Sequence, residues 1–278
     1  MEADTMDWTL DEHLDTPSGT VRWASWGDGP PLVFLHGTPF SSYVWRRLAD
    51  RFAATHRVYV WDMPGFGQSE MRAGQDVSLA AQQGVFTRLL AHWGLREPAV
   101  VAHDFGGAVA LRTALLDGVR YERLALLDAV SVRPWGTGYF RLMHDNPEVF
   151  GALPGYLHRA MVRAHIATAA HTDLGDTLLD RLLEPWTGAA GQAAYTAVAA
   201  QNDEHDTAEV EDRYAELDMP VLIGWGREDR WLPVPRAEDL ARRIPHAQLA
   251  WIERAGHLVQ EDAPDQVATL LADFLARR

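Results

Sequence analysis

Three side chains in this 278-residue chain are of the types that do nucleophilic, acid and base chemistry, and each follows an apolar run: Asp104, Asp229 and His257. Asp104 lies in Val100-Val101-Ala102-His103-Asp104-Phe105-Gly106-Gly107-Ala108-Val109-Ala110-Leu111, a short apolar run that ends at a polar residue and two glycines and passes into a helical pattern. A strand, a tight turn and a helix in that order lift one side chain above the edge of a sheet. A serine there needs a base before it can attack, whereas a carboxylate is already ionised at neutral pH. Attack by a carboxylate on an ester carbonyl would give a high-energy anhydride. Attack on a saturated carbon gives an ordinary ester and either expels a halide or opens an epoxide. Water must then cleave that ester, which calls for a histidine base and a carboxylate that holds the imidazole. His257 in Ala255-Gly256-His257-Leu258 and Asp229 in Gly226-Arg227-Glu228-Asp229-Arg230-Trp231 supply these types, and Asp128 is a second candidate for the acid.

The elements that must position these residues alternate along the chain. Two β-like runs within residues 7–27 flank the turn cluster Thr16-Pro17-Ser18-Gly19 and predict an opening hairpin. Pro31–Leu35 and Val58–Trp61 are apolar runs of the kind that strands covered on both faces show, the run from Val100 ends at the polar His103, and Leu124–Val130, with Asp128 in it, reads as a further strand. Between them, Trp45, Leu48 and Phe52, then Phe86, Leu89, Leu90 and Trp93, recur at helical spacing. Strand and helix in alternation predict an α/β fold, a mostly parallel sheet flanked by helices. Right-handed crossovers then bring His36, Asp62, Asp104 and Asp128 to one sheet edge, with Asp62 in a loop-fixing role. The alternation stops over residues 133–218, where Pro147, Pro154 and Pro185 break helical patches, and resumes with Pro220–Trp225 and Leu249–Ile252. The expected organisation is a core of residues 1–132 and 219–278 with a helical cap, residues 133–218, over the carboxyl edge of the sheet.

Composition narrows the function classes. The formal net charge of −14 argues against nucleic acid or anionic membrane as a partner. No window approaches the ~18 consecutive apolar residues of a membrane span. The acidic start, MEADTMDWTLDEH, lacks the order of a secretory signal, so the expected location is cytoplasmic. Cysteine is absent, which removes disulfides and thiolate metal sites. His144, His158, His165 and His171 have no compact ligand spacing and read as surface residues. No metal and no cofactor is implied, and the expected partner is a small molecule.

The order nucleophile, acid, histidine, together with His36-Gly37-x-Pro39, the loop Asp62-x-x-Gly65-x-Gly67-x-Ser69 and the elbow, resembles the α/β-hydrolase superfamily over essentially the whole chain. Within it, the aspartate elbow is similar to haloalkane dehalogenases and epoxide hydrolases. The resemblance implies Asp104 as nucleophile, His257 as base and Asp229 as acid, with Asp128 as the alternative because some dehalogenases carry the acid there. It also implies an oxyanion hole from the backbone N–H groups of Thr38 and Phe105.

The segments His36–Arg46 and His257–Pro264 resemble the dehalogenase versions, which favours hydrolysis of a neutral, apolar halogenated substrate. Two departures stand against it. Dehalogenases usually carry Asn or Glu where this chain has Thr38. They also follow the nucleophile with a tryptophan whose N–H binds halide, where Phe105 offers only a ring edge. Trp135 and Trp186 of the insertion are the candidate replacements. The alternative is epoxide hydrolysis, for which Tyr139, Tyr156 and Tyr195 are candidate proton donors. Fluoroacetate dehalogenases are set aside, because Phe105 and Ala108 replace the arginines that clamp a carboxylate. A non-catalytic binding protein on the same fold is the further alternative.

Overall fold

The structure, a computed structural model, describes residues 8–277. Most of the acidic start, and Asp7 at the head of the hairpin range, lie outside the described residues. The strands are β1 (Glu12–Thr16), β2 (Gly19–Trp26), β3 (Pro31–Leu35), β4 (Arg57–Trp61), β5 (Ala99–His103), β6 (Arg123–Leu127), β7 (Val221–Gly226) and β8 (Gln248–Ile252). They form one sheet in the order β1-β2-β4-β3-β5-β6-β7-β8. β1 and β2 are the predicted hairpin, closing at Thr16 opposite Gly19, and β2 pairs antiparallel with β4. Every other pairing is parallel.

The unbroken apolar runs are where both faces are covered. Leu32, Val33, Phe34 and Leu35 are fully buried, each side chain contributing about 1.5–3 kcal/mol by its removal from water. The covering helices are α1 (Arg46–Phe52), α2 (Leu79–His92), α3 (Phe105–Leu116), α10 (Pro235–Arg243) and α12 (Pro264–Ala276), with the single turn α11 (Val259–Asp262) before the last. On the α2 side, Trp61 stacks flat on Phe86 at 5.8 Å. α3 is buried nearly all round, because it lies on the centre of the sheet and beneath α2 and the insertion.

Six helices fill the interval between β6 and β7: α4 (Gly138–Asp145), α5 (Pro147–Gly151), α6 (Gly155–Ala167), α7 (Gly175–Leu183), α8 (Gly188–Gln201) and α9 (His205–Glu211). No strand occurs there among the described residues. α7 shows why the pattern was readable: Leu178, Leu179, Leu182 and Leu183 are its buried face. Among the described residues no helix is long and apolar enough to cross a membrane.

Candidate active site

The turn after β5 places Asp104 at φ 50° and ψ −120°, a region that L-residues avoid and that costs of order 1–3 kcal/mol to hold. Two neighbouring glycines make the geometry possible. A Cβ on Gly106 would lie 2.6 Å from the backbone oxygens of Leu35 and His36, and one on Gly37 would lie 2.3 Å from Asp104 Cβ. The elbow can therefore seat against the end of β3 only with glycine at both positions. The Thr38 N–H donates to Asp104 Oδ1 at 2.7 Å. The Phe105 N–H stands in the first turn of α3, where backbone donors have no partner within the helix. One carboxylate oxygen is thus pinned by Thr38, and the other, Oδ2, lies 3.4 Å from His257 Nε2.

His257 follows β8 and is fully buried. Its Nδ1 faces Asp229 Oδ2 at 3.0 Å. Asp229 Oδ1 accepts the backbone N–H groups of Trp231 and Leu232 at 2.8 and 2.9 Å, which fixes the carboxylate plane. Burial alone would depress the basicity of His257, but Asp229 and Asp104 outweigh it and hold the imidazole pKa well above its ordinary value. Asp104, His257 and Asp229 therefore stand in one line of contact. Asp128 does not touch His257 Nδ1; its Oδ1 accepts the Gly226 N–H at 2.8 Å and its Oδ2 is buried without a hydrogen-bond partner. Asp128, Asp229 and His257 each bring one potential ligand atom within 4.8 Å of the others, and the spacing is already explained by the His257–Asp229 contact.

Asp62 ties loops together: its oxygens accept the N–H groups of Ser42 and Gln68, and its carbonyl accepts the Ser69 hydroxyl. The His36 ring does the same, with Nε2 accepting the Met63 N–H at 2.9 Å and Nδ1 donating to Gly37 O.

Above Asp104 lies a cavity of about 510 Å³. Phe105, Trp135, Phe140, Tyr195 and Trp231 supply its aromatic walls, and Thr38 and His165 its polar lining beside Asp104.

Several expectations from the sequence are corrected here. The Trp135 indole N–H donates to Thr207 Oγ1 at 2.9 Å, and that of Trp186 donates to Pro39 O at 2.7 Å. Neither points a free donor at a leaving group, and Trp186 does not line the cavity. Phe105 meets Trp135 and Phe140 edge to face, as an apolar wall. Tyr156 is 73% exposed on α6 and has no part in the cavity. Tyr195 and Tyr139, from the packed helices α8 and α4, do converge. Tyr139 Oη is buried without a hydrogen-bond partner and lies close enough to the Tyr195 hydroxyl for each to perturb the other. Burial is the larger cause for both, pushing Tyr139 up to about 12 and Tyr195 well above its ordinary value.

Nor are the insertion histidines all on the surface. His158 is buried, with Nε2 against Trp186 O at 2.9 Å. His165 lines the cavity, stacked on Trp231 at 4.2 Å and leaning on Tyr139 at 4.4 Å, and burial lowers its pKa to about 4. Two further residues escaped the sequence reading. Trp231 stacks on His257 at 5.0 Å, and its only signal was its place two residues after Asp229. His103, the last residue of β5, backs His257 with Nε2 against the His257 carbonyl at 2.9 Å.

The chain matches the alpha/beta hydrolase family over residues 32–270 and belongs to it. It is 29% identical to 2-hydroxymuconate semialdehyde hydrolase of Pseudomonas putida over 90% of this chain and 88% of that protein. An alpha/beta hydrolase fold protein from Burkholderia ambifaria is 42% identical, with TM-score 0.93 over 96% of this chain and 98% of that one. A meta-cleavage product hydrolase of Pseudomonas fluorescens, CumD, shares the fold at TM-score 0.78 and 22% identity, over 96% and 97% of the two chains.

Proposed function

We propose that this hydrolase attacks a saturated carbon with Asp104 and hydrolyses the resulting ester with water activated by His257, and that its substrate is a small, neutral epoxide. The observation that carries the leaving-group assignment is the set of donors at the cavity. The indole N–H groups of Trp135, Trp186 and Trp231 are all committed to protein acceptors, at 2.9, 2.7 and 3.0 Å. The Tyr195 phenol lines the cavity, and the hydroxyl beside it is a second phenol, that of Tyr139. A halide needs only a donor to lean on, while an opening epoxide oxygen needs a proton, which a phenol can give.

In this reading the Asp104 Oδ2–carbon bond forms as the ring C–O bond breaks, and the oxygen takes the Tyr195 proton. His257, protonated at rest between two carboxylates, returns a proton to the phenolate. Esterification removes the charge of Asp104, so the imidazole becomes a competent base. It takes a proton from water as the hydroxide adds to Asp104 Cγ. The Thr38 and Phe105 N–H groups receive the oxyanion at Oδ1. Collapse expels the alkoxide, which takes the proton of the added hydroxyl, so the carboxylate is restored, a diol is released, epoxide and water are consumed and His257 ends protonated as it began.

Haloalkane hydrolysis through the same ester is the second reading, favoured by the apolar walls at Phe105, Trp135 and Phe140. Intact-mass analysis of His257→Phe after exposure to an epoxide panel and a haloalkane panel tests both. An adduct on Asp104 equal to the whole epoxide is expected. An adduct from haloalkanes alone reverses the order of the two readings. No adduct on Asp104 from any electrophile leaves a binding role for the pocket and ends the proposal.

A further inference from the structure

Asp128 is the one carboxyl beside the active site whose role the mechanism leaves unfilled. It follows β6 at φ 42°, as Asp104 follows β5 at φ 50°, and its N–H is spent on Gly224 O at 3.1 Å. That turn leaves a fully buried carboxyl outside the cavity lining, with an oxygen within 4.8 Å of Asp229 and His257. Its Oδ1 is satisfied by the Gly226 N–H at 2.8 Å, and its Oδ2 meets no N–H donor.

The protonation state follows from counting donors. Asp229 accepts three N–H groups: two from the backbone on Oδ1 and the His257 Nδ1–H on Oδ2. Three such donors, one of them from a protonated imidazole, favour the ionised form, so Asp229 is the carboxylate of the pair. Two fully enclosed carboxyl oxygens within 4.8 Å of each other favour holding one proton between them. The only hydrogen that can join them belongs to Asp128, and Asp229 Oδ2 has one lone pair left to accept it.

We propose that Asp128 is a neutral carboxylic acid that donates its proton in a hydrogen bond to Asp229, a positioning residue that acts on the base through the acid. The inference rests on the Asp229–His257 pair of the proposed mechanism and needs neither Asp104 as nucleophile nor any choice of leaving group. The donor does two things. It holds the Asp229 carboxylate so that Oδ2 faces Nδ1, and it stabilises that anion so the shared proton stays on the imidazole. The strong upward displacement of the Asp128 pKa, from burial first and Asp229 second, agrees with this. The other titratable groups around the pair are His257 and, beyond it, Asp104 and His103.

Two measurements without substrate test the proposal. In wild-type protein with ¹³C-labelled aspartate, one Cγ resonance should hold the protonated position at pH 7, and Asp128→Asn should remove it. In the same variant the imidazole pKa of His257, read by NMR titration, should stay within about 0.3 units of wild type, because no charge has been taken away. Were Asp128 ionised, or ligating a divalent cation together with Asp229, the wild type would lack the protonated resonance. Loss of an anion would then lower the His257 pKa by about one unit or more. Either result overturns the proposal, and the wild-type spectrum decides it even if the variant does not fold. Failure here leaves the Asp104 adduct untouched, and failure of the adduct leaves these titrations readable.

Discussion

Replacing His103 with phenylalanine should separate two contributions that this buried ring makes, one independent of pH and one not. His103 is fully enclosed, packed near Phe40, Trp45 and His257, with Nε2 donating to the His257 carbonyl and Nδ1 unpartnered. Burial first, and repulsion from His257 second, lower its pKa to about 4. The unfolded chain, with the ordinary value of 6.5, binds the proton more readily between those limits, so stability rises with pH across the window and falls on acidification. Linkage from 6.5 to about 4 gives a loss of about 2 kcal/mol by pH 5 and about 3 kcal/mol by pH 4. Phenylalanine keeps the ring packing but strands the His257 carbonyl, at a cost of about 1–3 kcal/mol at every pH. The wild type should therefore be the more stable protein at pH 7, and the two should converge towards pH 5 and meet or cross near pH 4. Urea unfolding of both proteins from pH 7 to 4 reads this directly, because every other titrating group is common to both and cancels. A constant gap across that range would refute the buried, neutral assignment of His103.

Further outcomes follow from the same geometry. Gly106→Ala pushes a methyl onto the Leu35 and His36 carbonyls and should cost about 3 kcal/mol, a fall in Tm of roughly 6–10 °C by calorimetry; an unchanged Tm would mean the elbow does not seat as described. Asp104→Asn keeps an oxygen for the Thr38 N–H but removes one of the two anions at His257, so the imidazole pKa should fall by about one unit or more. An NMR titration that finds no fall contradicts the clamp of two carboxylates. Tyr195→Phe should lower epoxide turnover by about 10²-fold and leave alkylation of Asp104 by haloalkanes in the His257→Phe background unaffected. Equal losses on both substrates would assign Tyr195 to the shape of the pocket.

The sheet and the order of its functional loops were legible because strands covered on both faces leave little freedom. Leu32–Leu35 and Val100–Ala102 could only be buried, and residues that end such strands share an edge. The line from Asp104 through His257 to Asp229 inherits that regularity. The resemblance put Asp229 ahead of Asp128 as the acid, but local sequence did not separate them: Asp128 follows β6 directly, Asp229 lies three residues beyond β7, and the turns decide which one reaches the imidazole. The insertion resisted reading for another reason. α8 presents buried residues on most of its circumference, so its pattern gives no rotational phase, and nothing in the spacing distinguishes inward Tyr195 from outward Tyr156. Indole acceptors such as Pro39 O and Thr207 Oγ1, 147 and 72 residues away along the chain, leave no trace in local sequence at all.

The committed indoles carry a consequence for how this scaffold can change. Trp186 is a rivet: its N–H joins the insertion to the loop after β3, and diverting it to a ligand would loosen the roof over the cavity. Trp135 and Trp231 are fastened in the same way, to Thr207 and Thr168. The Tyr139 hydroxyl fastens nothing. Under the proposed mechanism, mutational drift in the leaving group is therefore cheap at the phenols and expensive at the indoles, and a lineage of such proteins could exchange one leaving group for another without reopening the problem of how to stay folded.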